Sequence, residues 1–239
     1  MIALLKYNHK IYMKYNKFMI PVIFYLLFQL IYYSTGSEKF VPSIIVCASV
    51  VFCIMTWMGF SYCELQDWRT EQIVFLKTNN RNLYWISKII FMSIIESIIS
   101  LVGVLWPLII SCINNGVFSN DEININDIVL GFLILVLSAL MGTLLGMIFQ
   151  GKVLGNRNRA ILVLFLSVIM SVVKIPMANE YPITKIITWL VPPINNLTNS
   201  CMNMANFSLS ILVIPIIYSM LYIFVEVMVY VGLMKKILF

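Results

Sequence analysis

The sequence predicts an all-α membrane protein with six transmembrane helices, and three observations carry that prediction. The chain is 61% hydrophobic and only 11% charged, with a mean hydropathy of +0.95, whereas soluble domains average about 25% charged residues. Its apolar residues form continuous runs near the roughly 20 residues a spanning helix needs, while the strands of a membrane barrel would alternate over about 10. Its basic residues are sorted by side. Spans over about 18–35, 41–63, 84–113, 127–150, 159–175 and 207–234, with the N-terminus inside, leave only Lys39, Lys174 and Lys185 outside among the 16 Lys and Arg residues. That is the bias of cytoplasmic loops. Both termini are then cytoplasmic, in a multi-pass protein of the cell membrane. The net charge of +6 reflects this sorting rather than a nucleic-acid surface. No internal repeat or long linker divides residues 1–239, so one transmembrane domain is expected.

The N-terminal segment, residues 1–17, reads as an amphipathic interfacial helix. Lys6, Lys10, Lys14 and Lys17 make one basic stripe, with Leu4, Leu5, Ile11, Tyr12 and Tyr15 opposite. Such a helix lies in the headgroup plane with its cations toward anionic lipid. His9, beside the stripe, reads as solvated. The long basic leader, Pro21 and the Tyr-Ser-Thr-Gly ending argue against a cleaved signal peptide.

A short outer loop, Gly36–Phe40, makes spans 1 and 2 a tight hairpin. The charged stretch 64–82 follows. Glu64, Asp67 and Glu71 fall at i, i+3 and i+7, which predicts one acidic face, with Leu65, Trp68, Phe75 and Leu76 opposite. The acids open the helix, where its dipole favours them. Span 3 contains Pro107, which predicts a kink. The second outer loop, Asn114–Asn126, is acidic. Span 4 carries Gly142-x-x-x-Gly146, a small-residue packing motif that suits either the monomer interior or a dimer seam. The inner loop Gly151–Arg159 is basic and Gly-rich but lacks the strand–loop–helix setting of a phosphate cradle. Between spans 5 and 6, residues 176–206 hold Pro176, Pro182, Pro192 and Pro193 around the short apolar run 183–191. That run is too short to cross, so a re-entrant or interfacial hairpin on the outer side is expected, with an Asn-rich solvated return (Asn195, Asn196, Asn199, Asn203, Asn206). Two glycosylation sequons, at Asn196 and Asn206, matter only in a eukaryotic secretory pathway.

No catalytic constellation is visible, and with one His in the chain the sequence argues against an enzyme. Cys47, Cys53, Cys63, Cys112 and Cys201 lack ligand spacing and read as small buried hydrophobes, so no metal is expected. Glu96 and Glu226 are the two intramembrane carboxylates. Charge at that depth marks a functional site by default. Each lies about 8–9 residues from an inner basic marker, Lys88 or Lys235, hence about 12–14 Å deep at about 1.5 Å per residue. They are expected at one level, where they could share a proton. They either line a substrate path or fix helix packing as core residues.

The run Glu64…Asp67-Trp68-Arg69-Thr70-Glu71-Gln-Ile-Val-Phe-Leu, then Asn-Asn-Arg-Asn-Leu-Tyr-Trp-Ile-Ser-Lys88, resembles the coupling segment of type 2 ABC transporter permeases. The family usually has Gly before that Thr, where this chain has Arg69. The N-terminal amphipathic helix, six spans with both ends inside, Trp189-Leu-Val-Pro192-Pro193 before span 6, and a short basic C-terminus also look alike, so the layout is similar over nearly the whole chain. The resemblance implies the permease half of an exporter. Glu64, Asp67, Trp68, Arg69, Thr70 and Glu71 would contact one of two cytosolic ATPase subunits, which bind ATP and Mg. Pro192 and Pro193 would set the outer re-entrant turn. A second permease, identical or related, would complete a dimer. Small size and Ile/Asn/Lys-rich character look like the bacterial permeases of lantibiotic and bacitracin immunity and of toxin-peptide export. The implied cargo is an amphipathic antimicrobial or toxin peptide or a lipid-like molecule. Two other classes compete: a membrane scaffold or sensor whose cytosolic helix binds a regulator, and an intramembrane enzyme using Glu96 and Glu226. A secondary carrier would more often show midplane helix breaks and repeats.

Overall fold

The computed structural model describes residues 1–34, 39–78, 81–113, 124–181, 191–201 and 207–237. Among these the regular structure is helical throughout: α1 (Ile2–Tyr15), α2 (Met19–Ser34), α3 (Phe40–Cys63), α4 (Trp68–Lys77), α5 (Arg81–Ile113), α6 (Ile125–Ile148), α7 (Gly151–Leu154), α8 (Arg157–Val172), α9 (Lys174–Glu180), α10 (Ile194–Asn199) and α11 (Leu209–Ile237). Four helices are long and apolar enough to cross a membrane: α3, α5, α6 continued to Leu154, and α11. The number is five if α1 and α2 count as one bent span. The predicted first and fifth spans, α2 and α8, have 16 residues each, or about 24 Å at the helical rise, against a hydrocarbon core of about 30 Å. α8 ends at Val172, short of the predicted end of the fifth span at 175, and a separate short helix, α9, carries Lys174 and Pro176.

The centre of the bundle is the crossing of α3 and α6, and glycine makes it possible. A Cβ on Gly142 would lie 2.5 Å from the Phe52 carbonyl oxygen, one on Gly146 2.1 Å from that of Thr56, and one on Gly59 2.4 Å from that of Thr143. The two backbones touch at a distance that no side chain permits. The Gly142-x-x-x-Gly146 motif therefore packs inside the monomer, which decides between its two readings. Around this seam Val51, Phe52, Met55, Ile134, Ala139 and Met141 are fully buried.

α11 is peripheral. Only 17% of its most apolar window is buried, against 61% for α3 and 67% for α6. At its start the Phe207 N–H donates to Asp127 Oδ1 at 2.7 Å, while Asp127 Oδ2 accepts the Asn124 N–H at 3.2 Å. One carboxylate thus caps α6 and ties the chain that enters α11. α5 runs unbroken as a helix through Pro107.

α1 meets α2 at 77°. The elbow is Asn16, with φ at +48°, a left-handed conformation that Asn tolerates better than most residues. α1 does not float beside the bundle. Asn8 and Tyr12 are buried, Asn8 Nδ2 donates to Ser87 Oγ at 3.4 Å, and the Tyr12 ring packs 5.3–5.7 Å from Phe18, Tyr62 and Phe91. Lys6, Lys10 and Lys14 remain exposed, and Leu4, Leu5, Ile11 and Tyr12 pack opposite them, but Tyr15, expected on that face, is 51% exposed.

Residues 36–38 of the first outer loop, 114–123 of the second, and 182–190 and 202–206 of the proline-rich segment, Trp189 among them, lie outside the described residues. The described part of 191–206 corrects one expectation. Asn195 and Asn196 are half-buried in α10 beside buried Ile194, Leu197 and Thr198, rather than in a solvated return, whereas Asn199 is exposed as expected. Ile194, Leu197 and Thr198, at i, i+3 and i+4, give a short helix one packable face. Asn195 Nδ2 also donates to the Val172 carbonyl at 2.8 Å, satisfying a free carbonyl at the end of α8.

Candidate functional site

α4 is a short helix with a buried charged contact to its neighbours. It begins at Trp68, after the turn that follows α3, and Asp67 occupies its N-cap. The Asp67 carbonyl accepts the Glu71 N–H at 3.0 Å and the Thr70 hydroxyl at 2.8 Å. Positions 71 and 75, one turn apart, face inward: Glu71 and Phe75 are each 1% exposed. Arg69, Thr70, Ile73, Leu76 and Lys77 face outward, with Ile73 at 65% and Leu76 at 72%. Lys77 in the last turn suits the helix dipole.

The predicted single acidic face is corrected. Glu64 and Asp67 precede the helix, so the i, i+3, i+7 rule does not apply to them, and Glu71 turns away from solvent. Its Oε1 is bound by the Lys88 ammonium of α5, and its Oε2 by Lys152 of α7 at 2.6 Å. Lys152 Nζ also donates to the Gln66 carbonyl at 2.8 Å, and the Tyr84 hydroxyl donates to Gln66 Oε1 at 2.9 Å. The two ammonium groups outnumber the one carboxylate. The rings of Tyr84 and Trp85, centred 4.9 and 5.2 Å from Lys88 Nζ, offset the surplus by cation–π attraction. Burial pushes the Glu71 carboxyl up, but Lys88 and then Lys152 outweigh it, and the group is held below its ordinary value. This knot fixes α4 to both α5 and α7.

Glu64 pairs with Arg157 Nε at 3.0 Å, with the Arg side chain 64% exposed, a surface contact of little energetic weight. Asp67 is exposed. Lys17, Glu64, Asp67, Lys152 and Arg157 line an open cavity of about 490 Å³ between the α1–α2 elbow and α7.

Glu96 and Glu226 are both buried, at 1% and 4% exposure, but they do not meet. Glu96 Oε1 is hydrogen-bonded to the Thr143 hydroxyl of α6, while its Oε2 and both Glu226 oxygens have no hydrogen-bond partner. The expected shared proton is therefore corrected. Equal depth sets the level of a residue in a bundle, not the side of the helix it occupies. Glu96 belongs to the α5–α6 contact. Glu226 lines a cavity of about 470 Å³ with Leu145, Phe149, Tyr218, Tyr222 and Val225.

Pro192 and Pro193 are buried, and Pro193 is the N-cap of α10, a place where a missing N–H is harmless. Among the described residues no group of three His, Cys, Asp or Glu stands close enough to hold a metal.

Lys88, Lys152 and Gln66 are the site residues that sequence reasoning missed. One signal was present. Lys88 opens a long apolar run, so a lysine there needs a buried acid, and Glu71 is 17 residues upstream on the same predicted side. Comparison with family models, with known proteins and with solved structures finds no match for the chain.

Proposed function

We propose that the chain is the permease subunit of an ATP-driven exporter, with six spans and both termini in the cytosol. A separate ATPase chain docks on α4. The observation that carries the reading is the division of α4 into two faces. The inner face is locked by Glu71 to Lys88 and Lys152. The outer face presents Ile73 and Leu76, more than 60% exposed, between Arg69 and Lys77. A lever must be rigidly joined to what it moves and open to what moves it. The knot joins α4 to α5, and the apolar pair is open. A nucleotide-driven movement of the ATPase would shift the spans by its differential contact with two states of this helix.

In this reading α1 rides on the membrane surface, a second permease copy or relative completes the pore, and the cargo is an amphipathic peptide or lipid-like molecule. The pore between permeases would draw on α11, the least covered of the long helices. The test is purification of tagged protein from its native host in mild detergent, with Ile73→Asp/Leu76→Asp as control. An ATPase that accompanies the wild type and is lost from the variant supports the proposal. A kinase or transcription regulator in its place would favour the scaffold reading.

A further inference from the structure

We propose that the cavity beside Glu226 binds the ammonium head of a cationic amphiphile, with the hydrocarbon chain laid against α11. The cavity, about 470 Å³ between α6 and α11, falls within the range of small-molecule sites, roughly 300–1,000 Å³. Glu226 is 4% exposed, yet neither carboxyl oxygen has a hydrogen-bond partner. A buried polar group left in that state is destabilising, and a donor from outside the chain removes the penalty. No basic residue lines the cavity, so the chain's described residues do not supply that donor.

The rest of the wall selects the class of ligand. Tyr218 and Tyr222, both half-buried, line the cavity with Glu226. Phenol rings attract cations over their faces, and an ammonium group carries three donors. An ammonium ion brings charge and donors to the carboxyl group, an alcohol brings one donor and no charge, and an anion brings no donor. Leu145, Phe149 and Val225 supply the apolar remainder. Access is sideways: Leu221, Val225 and Val229 on the same wall are 61%, 55% and 43% exposed, so the ligand arrives from the lipid phase. The binding stands apart from the exporter reading. Only the view that the bound molecule is cargo rests on it.

The test uses the full chain, without ATPase, in nanodiscs of zwitterionic lipid, with radiolabelled dodecylamine as probe and dodecanol as the uncharged comparison. Saturable amine binding is expected, weakened about tenfold or more in Glu226→Gln, with no saturable alcohol binding. Val225→Trp fills the cavity from its outer wall while Glu226 stays, and it is expected to abolish binding. It serves as the test if Glu226→Gln fails to insert. Equal amine binding in wild type and either folded variant, or equal binding of amine and alcohol, would overturn the proposal. Amine binding by a chain that recruits no ATPase would keep the site and remove the exporter reading. ATPase recruitment without amine binding would do the reverse.

Discussion

Glu71 of α4 and Lys88 of α5 form an ion pair with side chains 1% and 3% exposed. The pair joins a short charged helix to the longest helix of the described chain. Breaking one side of a buried pair leaves an uncompensated charge and costs about 3–5 kcal/mol, while replacing both partners costs much less. Glu71→Gln is therefore expected to lower stability by that order, and Glu71→Gln/Lys88→Met by less than the two single changes combined. Denaturant or thermal unfolding of the purified protein in detergent checks this. Additive losses would mean that the two residues are not coupled.

Acid should weaken the same knot. The folded Glu71 carboxyl is held below its ordinary value of 4.5, so its contribution is complete above that value and is lost as pH falls through the lowered one. Thermal midpoints measured from pH 7 downward should drop in the wild type below about 4.5. Glu71→Gln should lack that component of the drop. Parallel profiles for the two proteins would contradict the assignment.

The α3–α6 seam gives a sharper steric prediction. At Gly146 a Cβ would meet the Thr56 carbonyl oxygen at 2.1 Å, whereas at Gly232 it would meet nothing within 4 Å. Gly146→Ala is expected to destabilise by about 1–3 kcal/mol, the range for forcing volume into a packed site. Gly232→Ala should be neutral or slightly stabilising, since Ala outranks Gly in a helix. Comparison of unfolding midpoints for the two variants decides the matter.

The architecture was legible wherever a single physical rule governs. Continuous apolar runs located α3, α5, α6 and α11, and the lysine stripe located α1 and its exposed side. The Gly142-x-x-x-Gly146 spacing announced a close helix contact, though not which helix would fill it. What was lost depended on rotation about a helix axis. The acids at 64, 67 and 71 matched a helical spacing, but the helix starts at Trp68, so only Glu71 obeys its phase, and that phase points inward. Glu96 and Glu226 are expected at one depth from their spacing, but Thr143 claims one and the α6–α11 cavity the other. Sequence spacing alone carries no information on which neighbour a helix face meets.

The Asp127 contact predicts a local effect at the far end of the bundle. Asp127→Ala removes the acceptor for the Phe207 and Asn124 N–H groups. Loss of a buried partner of this kind costs about 1–3 kcal/mol. Amide hydrogen exchange should quicken at Phe207 and through the first turn of α11, while α4 is unaffected. Unchanged exchange at Phe207 would show that the contact does not hold the chain there.

The most direct measurement is photo-crosslinking in the native host from a benzoyl-phenylalanine placed at Ile73, on the outward face of α4. Met228, equally open at 62% exposure but on α11, serves as the comparison site. The account predicts a cross-link from position 73 to one cytosolic ATPase subunit and none to that subunit from position 228. A cross-link from position 73 to a different protein, or to none, would contradict it.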